Sequence, residues 1–144
     1  MYSKILVPVD GSEISYRAVD AGLFLSGKLG SEITVIHVME DVPVTHIESQ
    51  KLLNDMLEIS AAYKQQGQDI LSKCSDRAKN KGLIINTILL KGNPGSIILD
   101  FSKKENYDVI IMGNRGLGKF KEMILGSVSG RVLHNSSCPV MLIR

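Results

Sequence analysis

Short apolar runs alternate along the chain with longer stretches in which apolar residues recur every three or four positions. The first run, residues 4–9, is rich in β-branched side chains and ends at a turn-forming Asp10-Gly11 pair, which predicts a fully buried strand. From Ser12 the apolar positions adopt helical spacing, and this spacing stops at Gly30. We therefore predict a strand followed by a helix that Ser12 caps and Gly30 terminates.

The second strand and second helix follow the same pattern. Residues 33–39 form another β-branched apolar run, and the polar segment 40–49, which contains Pro43, is predicted to be a loop. Helical spacing then continues from residue 49 to residue 81. Gly67 lies in the middle of this stretch, and because an interior glycine costs a helix about 1 kcal/mol relative to alanine, the helix could break there.

Strands and helices are predicted to alternate to the end of the chain. The remaining elements are a strand at 83–90, a helix opened by Pro94, a strand at 107–112, a short helix at 127–134 and a strand at 139–143. Such alternation predicts parallel strands joined by right-handed crossovers, with helices on both faces of the sheet. We expect one α/β domain over residues 1–144, a three-layer sandwich with its ligand site at the carboxyl ends of the strands.

Composition excludes several classes of partner. Seventeen basic and fifteen acidic residues are interspersed and leave a net charge of +2, which argues against a nucleic-acid or membrane surface. The chain has three Phe, four Tyr and no Trp, too few aromatic residues for a platform that stacks single-stranded nucleic acid. No apolar run approaches the roughly 20 residues that span a bilayer, and the N-terminus lacks the features of a signal peptide. We expect a cytoplasmic protein.

No residue pattern indicates catalysis. Cys74 and Cys138 stand alone and are predicted to be core thiols, and His37 lies in a predicted strand, as a core histidine would. Asp41, His46 and Glu48 lack the clustered spacing of a metal site. Neither a Ser-His-Asp set nor a pair of carboxylates presents itself. The sequence favours binding over chemistry and offers no catalytic residue.

The first loop at the carboxyl edge begins at Pro8. Because proline cannot donate to a β-ladder, Pro8 marks the point at which the first strand leaves the sheet. The backbone turned aside there would place Val9 and Asp10 in a cleft, where the aspartate can accept from a ribose hydroxyl or hold a cation through water. The alternative is a plain strand end followed by a common Asp-Gly turn.

The second loop starts with GNRGLGKF, residues 113–120, which nearly fits two phosphate-binding motifs. The NTPase loop requires a serine or threonine after its lysine, but Phe120 follows Lys119. The dinucleotide fingerprint requires a third glycine where Lys121 stands. Neither motif is complete, so the loop needs another interpretation.

A longer pattern extends from Gly113 to Ser127. Two residues separate Gly113 from Gly116, nine separate Gly116 from Gly126, and Ser127 then opens a helix whose N-terminus would attract phosphate. Gly126 would allow close approach, and hydroxyl groups and cations near the loop would add contacts. The residues that could supply them are Ser127, Ser129, Arg115 and Lys119. Alternatively, Ser127 is only an N-cap and the glycines only form turns; spacing alone leaves the two interpretations even.

The sequence GNRGLGKFKEMILGSVSGRVLHNSSCPVMLI resembles the C-terminal signature of the universal stress protein family, and ILVPVDGSEIS with ITVIHVM resembles its N-terminal half. The resemblance covers essentially the whole chain. The glycine spacing is the one that distinguishes the ATP-binding branch of the family, and it is complete here. The resemblance implies an open five-stranded sheet in the order 3-2-1-4-5, a homodimer paired through the last strand, residues 139–143, and one ATP or related adenine nucleotide per subunit.

Carried over by position, the resemblance also implies a set of site residues. The base and ribose would lie near Pro8, Val9, Asp10 and Val38, with Met112 and Gly113 beneath the cleft. The triphosphate would lie along Gly116, Gly126, Ser127, Val128 and Ser129. Apart from the resemblance, the charge of Arg115 places it beside the phosphates, and we expect Mg²⁺ or Mn²⁺ to accompany them, with Asp10 in the outer shell. GNRGLGKF is then the front of a longer nucleotide loop, and the missing hydroxyl at Phe120 does not matter.

The function that this resemblance implies is an ATP-binding stress-response protein, in which nucleotide occupancy changes the Gly113–Gly126 loop and the surface of a dimer. Two alternatives stay open at this level. One is a slow ATP-hydrolysing or adenylating enzyme with a substrate pocket formed by residues 40–49. The other is a partner-binding module that takes no nucleotide.

Overall fold

Strands and helices alternate in the computed structural model, which describes residues 2–41, 49–117 and 125–144. The strands are β1 (Lys4–Pro8), β2 (Glu32–Met39), β3 (Asn86–Lys91), β4 (Val109–Gly113) and β5 (Val140–Ile143); the helices are α1 (Glu13–Leu29), α2 (Gln50–Asn80), α3 (Pro94–Lys104) and α4 (Ser127–Asn135). The strands form one parallel sheet in the order β3-β2-β1-β4-β5. The expected α/β class and strand order are confirmed.

The core consists of two layers, one on each face of the sheet. Ile5 and Val7 of β1 pack with residues of α1 and α2 on one face. Leu6, between them in sequence, packs with residues of α3 and α4 on the other. Because alternate side chains of a strand point to opposite faces, a strand covered on both sides is apolar along its covered length, as β1 is from Ile5 to Pro8.

Helix α1 has the caps that its sequence predicts. Ser12 Oγ accepts a hydrogen bond from Ser15 N–H at 3.2 Å, and Gly30 adopts a left-handed conformation with φ 69° and donates its N–H to Ser26 O at 2.8 Å. A glycine is favoured there because it has no Cβ to clash in that conformation. The helix therefore starts and stops where its sequence specifies.

Helix α2 runs through Gly67 without a break, so the hypothesis of a broken helix is wrong. A Cβ added at Gly67 would lie 2.6 Å from Leu89 Cδ1 and 2.9 Å from His37 Cδ2. The glycine therefore lets the helix approach β2 and β3 closely, and tertiary packing outweighs its low helix propensity. All buried residues of α2 lie at or after this point, whereas residues 50–66 are exposed or half-buried.

Two alanine substitutions distinguish this packing role from helix propensity. Gly27→Ala in α1 is expected to stabilise the protein by up to about 1 kcal/mol, because a Cβ there would make only an ordinary 3.7 Å contact with Leu83. Gly67→Ala gains the same helix propensity, but its Cβ pushes the side chains of Leu89 and His37 away from the helix. We therefore expect a net loss of stability of about 1 kcal/mol. Urea denaturation of the two variants tests this, and equal stabilisation of both would contradict the packing role of Gly67.

Two strands begin two or more residues later than the sequence predicts, and β5 begins one residue later, at Val140. Strand β3 starts at Asn86 and not at residue 83, because Leu83 N–H still bonds to Ala78 O at 2.9 Å in the turn that ends α2. Ile84, an apolar residue in the predicted strand, is 93% exposed. Strand β4 starts at Val109 and not at residue 107, because Tyr107 N–H bonds to Ser102 O at the end of α3. In both cases an apolar residue that was predicted to start a strand is bonded to the end of the preceding helix.

Cys74 lies in the core between α2 and the sheet, as predicted, whereas Cys138 is only half-buried. Burial raises the pKa of the Cys74 thiol from 9.0 to about 11, with Arg77 lowering it and Asp20 raising it by smaller amounts. The folded protein therefore keeps this proton at pH values where the unfolded chain has lost it.

The stability that Cys74 contributes should consequently be complete below pH 9 and should disappear as the pH rises from 9 to 11. The full loss corresponds to about 2.7 kcal/mol, since each pKa step of one is worth about 1.36 kcal/mol. Urea denaturation at pH 8 and pH 11 measures this loss, and Cys74→Ala should lose less between the two. Identical losses in both proteins would contradict this account.

Candidate functional site

A cleft of about 730 Å³ opens at the carboxyl ends of β1, β2 and β4. Its volume lies in the range typical of small-molecule sites. All of the site residues predicted from the sequence lie along its wall: Pro8, Val9, Asp10, Val38, Met112, Gly113, Arg115, Gly116, Gly126, Ser127, Val128 and Ser129. Two loops and three strand ends distant in sequence thus meet at one place, at the edge where parallel sheets bind ligands.

One wall of the cleft is apolar. It is lined by Pro8, the last residue of β1, and by Val38 and Met112, each next to the last residue of its strand. Val38 and Met112 belong to the core layer under α3 and α4, where Ile98 of α3 completes the surface. The backbone leaves the ladder at this point, since Val9 N–H makes the last bond from β1, to Ile36 O at 2.8 Å. A flat apolar ring can be held against this wall without leaving a polar group unpaired.

Asp10 joins the first loop to the second. Its Oδ1 accepts from Ser12 N–H at 2.9 Å, and its Oδ2 accepts from Leu117 N–H at 3.1 Å. Gly116 packs so closely on this carboxylate that an added Cβ would overlap Oδ2. The absence of a side chain at Gly116 therefore permits the contact between the loops.

Gly126, and not Ser127, is the N-cap of α4, and it makes no side-chain cap hydrogen bond. Gly126 N–H donates to Asn114 O at 2.7 Å, and a Cβ added at Gly126 would lie 3.0 Å from Arg115 Cα. The interpretation of Ser127 as an N-cap is therefore wrong. Close approach of the two ends of the loop explains the glycine.

The start of α4 has the properties of an anion site. The first N–H groups of a helix have no intrahelical acceptors and carry positive partial charge, and here the N-cap residue, a glycine, has no side chain to cap them. Ser127 is exposed and lies on the cleft wall, so its hydroxyl is available to a ligand. Ser129 differs from the expectation, because its buried hydroxyl donates to Asn114 O at 2.6 Å and holds the loop.

The opposite wall was missed by the sequence interpretation. Tyr63 and Gln66 of α2 line the cleft together with His37 and Glu40. His37 Nδ1 lies 2.8 Å from Val9 O, so the histidine does have the partner expected of a core residue, yet this half-buried residue also lines the cleft. The sequence could have indicated that His37 lies near the cleft, because it directly precedes Val38, a predicted site residue at the carboxyl end of β2.

Residues 2–41, 49–117 and 125–144 contain no group of three or more His, Cys, Asp or Glu residues arranged to hold a metal ion. None of the helices in these ranges combines the length and the apolarity needed to cross a membrane. Several residues considered above, His46, Glu48, Gly118, Lys119, Phe120 and Lys121, lie outside the described residues.

Comparison with known proteins gives consistent similarities over the full chain. The universal stress protein UspA from Lactobacillus plantarum has a TM-score of 0.87 at 23% identity, over 99% of this chain and 98% of that chain. A universal stress protein in complex with cAMP has a TM-score of 0.73 at 25% identity, over 99% and 97% of the two chains. A family protein from Arabidopsis thaliana with AMP bound has a TM-score of 0.70 at 24% identity, over 98% and 90%.

Sequence relatives agree with these structures. Universal stress protein YxiE of Bacillus subtilis is 34% identical over 148 residues, an alignment that covers 100% of both chains. The model of the universal stress protein family matches residues 1–144. On this evidence, the chain belongs to the universal stress protein family.

Proposed function

We propose that the protein binds ATP, or a related adenine nucleotide, in the cleft at the carboxyl edge of its sheet, and that residues 1–144 form one nucleotide-binding domain. The proposal rests on the N-terminus of α4, which lies on the cleft wall behind a glycine loop and whose N-cap, Gly126, has no side chain to occupy the first N–H groups. The relatives crystallised with cAMP and AMP support an adenine nucleotide as the ligand.

One set of residues in the cleft would contact the base and ribose, and another set would contact the phosphates. The apolar wall formed by Pro8, Val38 and Met112 would pack against the base, while Val9 and Asp10 would meet the ribose. Gly113 and Gly116 keep the second loop close to the sheet, so that the phosphates would reach the α4 N-terminus. There they would meet Arg115, Gly126, Ser127 and the N–H groups of Val128 and Ser129.

Magnesium or manganese would bind mainly through phosphate oxygens and water. Both oxygens of Asp10 already accept backbone N–H groups, at 2.9 and 3.1 Å. This arrangement favours an outer-shell role in which Asp10 accepts from a metal-bound water, and it disfavours direct coordination.

In a homodimer paired through β5, nucleotide binding in one subunit would affect the surface between the two subunits. Within the described chain β5 pairs with β4 on one side, and a strand edge left unpaired on the other side invites a second copy. Asn114 N–H in the nucleotide loop donates to Ile143 O of β5 at 2.8 Å. A ligand that shifts the loop would therefore act directly on the edge strand, provided its affinity differs between the two loop conformations.

The test is to identify the ligand that the purified protein carries. We expect acid to release an adenine nucleotide detectable by mass spectrometry, and ATP, ADP, AMP or cAMP with Mg²⁺ to raise the melting temperature. A ligand at 100 times its Kd should stabilise the fold by about 2.7 kcal/mol. If no adenine nucleotide is released and none stabilises the protein, the proposal is wrong. Light scattering with and without ATP measures the dimer separately.

A further inference from the structure

An apolar row runs along the first half of α2. Leu52, Met56, Ile59 and Tyr63 follow one another at spacings of four, three and four residues, which places their side chains on one side of the helix. Leu52 and Ile59 are each 44% exposed, Tyr63 is 46% exposed and Met56 is half-buried. Neither core layer, over the ranges that the structure describes, includes any of the four. These four residues, here called the α2 row, form an apolar surface outside both core layers.

The α2 row continues the face by which the same helix packs on the sheet. Gly67 stands one turn after Tyr63 and lies against Leu89, and Ile70, two turns after Tyr63, is only 6% exposed. Residues 50–66 carry this face about 25 Å beyond Gly67, at a rise of about 1.5 Å per residue. A helix of that length gains most of its stability from the packing of its apolar face, so the row favours a surface that covers it.

The charges around the α2 row suit a second copy of this chain. Residues 50–66 carry two basic side chains, Lys51 and Lys64, and two acidic ones, Asp55 and Glu58, and none of them belongs to the row. Apolar residues in the seam with charged residues outside it is the pattern of a coiled-coil pair. This half of the helix is neutral, so it neither repels a second copy nor attracts a strongly acidic or basic partner.

The fold permits an antiparallel partner helix and not a parallel one. A parallel helix would continue along the same face past Tyr63, into the space where Gly67 already packs on Leu89 and His37. An antiparallel helix has its own first turn beside Tyr63, and its globular part lies beyond the opposite end of the row. The α2 row also matches itself in this direction, because spacings of four, three and four read the same when reversed.

We propose that two copies of this chain associate through an antiparallel pair of α2 rows. Leu52 of each copy packs against the partner's Tyr63, and Met56 packs against the partner's Ile59. A two-fold axis relates the helices, so the same four residues form both halves of the interface. The surface is separate from the β5 edge, and because Tyr63 lines the cleft, the partner's Leu52 lies at the mouth of the cleft. One helix pair is a small interface, and we expect a Kd of roughly 100 μM.

Sedimentation equilibrium of the full chain, from about 10 μM to about 1 mM, spans this Kd. We expect the average mass of the unsubstituted protein to rise over the range. Ile59→Glu places two carboxylates, one from each copy, at the centre of an apolar seam, so association should weaken by at least about tenfold. The mass that this variant keeps, that of a monomer or of a β5 dimer, is the baseline for the comparison.

Leu57→Glu is the matched control. Leu57 is 62% exposed in the same half of α2 but lies off the α2 row. The substitution introduces the same charge as Ile59→Glu, and the variant should associate as the unsubstituted protein does.

A pair of opposite charges identifies the partner as a second copy. Ile59→Lys should also lose association, because it places two like charges in the seam. An equal mixture of Ile59→Lys and Ile59→Glu should recover it, since opposite charges then meet across the two-fold axis. Pairing through β5 alone, or a row that binds a different protein, gives no such recovery.

Two results overturn the proposal. One is an unsubstituted protein whose average mass nowhere exceeds that of Ile59→Glu, and the other is a mixture of the two folded variants that associates no more than either does alone. Circular dichroism shows whether each variant is folded. Leu52→Glu replaces Ile59→Glu if the latter is not, because an acidic residue is stabilising in the first turn of a helix. No nucleotide is present, so the proposed function is tested apart from this pairing.

Discussion

Replacing Ser127 with aspartate is expected to weaken ATP binding by at least about 100-fold while the protein stays folded. Ser127 is the first residue of α4 and is exposed on the cleft wall, so a carboxylate there would face the phosphates. Two like charges about 4 Å apart repel by about 4 kcal/mol at an effective dielectric constant near 20. Each 1.4 kcal/mol is a tenfold change in Kd, so even a partly screened repulsion has this effect.

The same substitution should not harm the fold, because an acidic residue in the first turn of a helix is stabilising by about 0.3–1 kcal/mol. The loss of binding and the change in stability thus have opposite signs. Calorimetry with ATP and thermal melting without ligand measure the two. A substitution at Gly126 would test phosphate binding less specifically, since any side chain there would press on Arg115 Cα at 3.0 Å and disturb the loop directly.

Ser127→Asn is the matched control, with nearly the same size and no charge. It should retain most of the affinity, because an amide can donate to a phosphate where the serine hydroxyl did. If the aspartate variant binds ATP as tightly as the asparagine variant, the phosphates do not lie at the N-terminus of α4, and the placement of the nucleotide must be abandoned.

The second large effect is expected at Ile111, whose replacement by alanine should destabilise the fold by about 2–5 kcal/mol. Ile111 is 0% exposed, lies in β4 between β1 and β5, and packs in the core under α1 and α2. Its side chain is surrounded by strand and helix residues that cannot collapse into the space it leaves. The loss of transfer free energy therefore adds to the cost of a cavity.

Urea denaturation measures this cost, with Ile111→Val as the control that removes only one methylene and should cost about 0.5–1.5 kcal/mol. The m-value should not change, because both variants expose nearly the same surface on unfolding. If the alanine variant loses no more stability than the valine variant, the core around β4 repacks, and the rigid arrangement described here is wrong.

The sequence was sufficient for the order of elements because each strand is a short apolar run with a clear end. The unbroken α2 was not predictable from propensity, since the reason for Gly67 is its contact with Leu89 and His37, two residues distant along the chain. The predicted first residues of β3 and β4 were wrong for a related reason. Leu83 and Tyr107 are apolar but belong to helix termini, and an apolar residue does not reveal which neighbour it packs against.

The loop that lines the cleft could be predicted because close backbone contacts require glycine at fixed positions. Glycine spacing located the loop because Gly116 and Gly126 are required by close contacts with Asp10 and Arg115. The wall of the cleft that α2 forms with Tyr63 and Gln66 has no comparable pattern in the sequence. Tyr63 and Gln66 reach the cleft only because the helix is fixed to the sheet at Gly67, a tertiary fact that helical periodicity does not contain.

That wall also stands at a boundary of stability within one helix. Beyond Gly67 the helix is anchored by buried Ile70, Leu71 and Cys74, whereas residues 50–66 bury no side chain fully. An unanchored helical stretch of this length is marginal in water, so it can unwind as its own cooperative unit at little free-energy cost. Unwinding up to Tyr63 would remove one side of the cleft and leave the sheet intact. Ligand entry and release would then be governed by a helix–coil equilibrium, with no hinge or domain movement required.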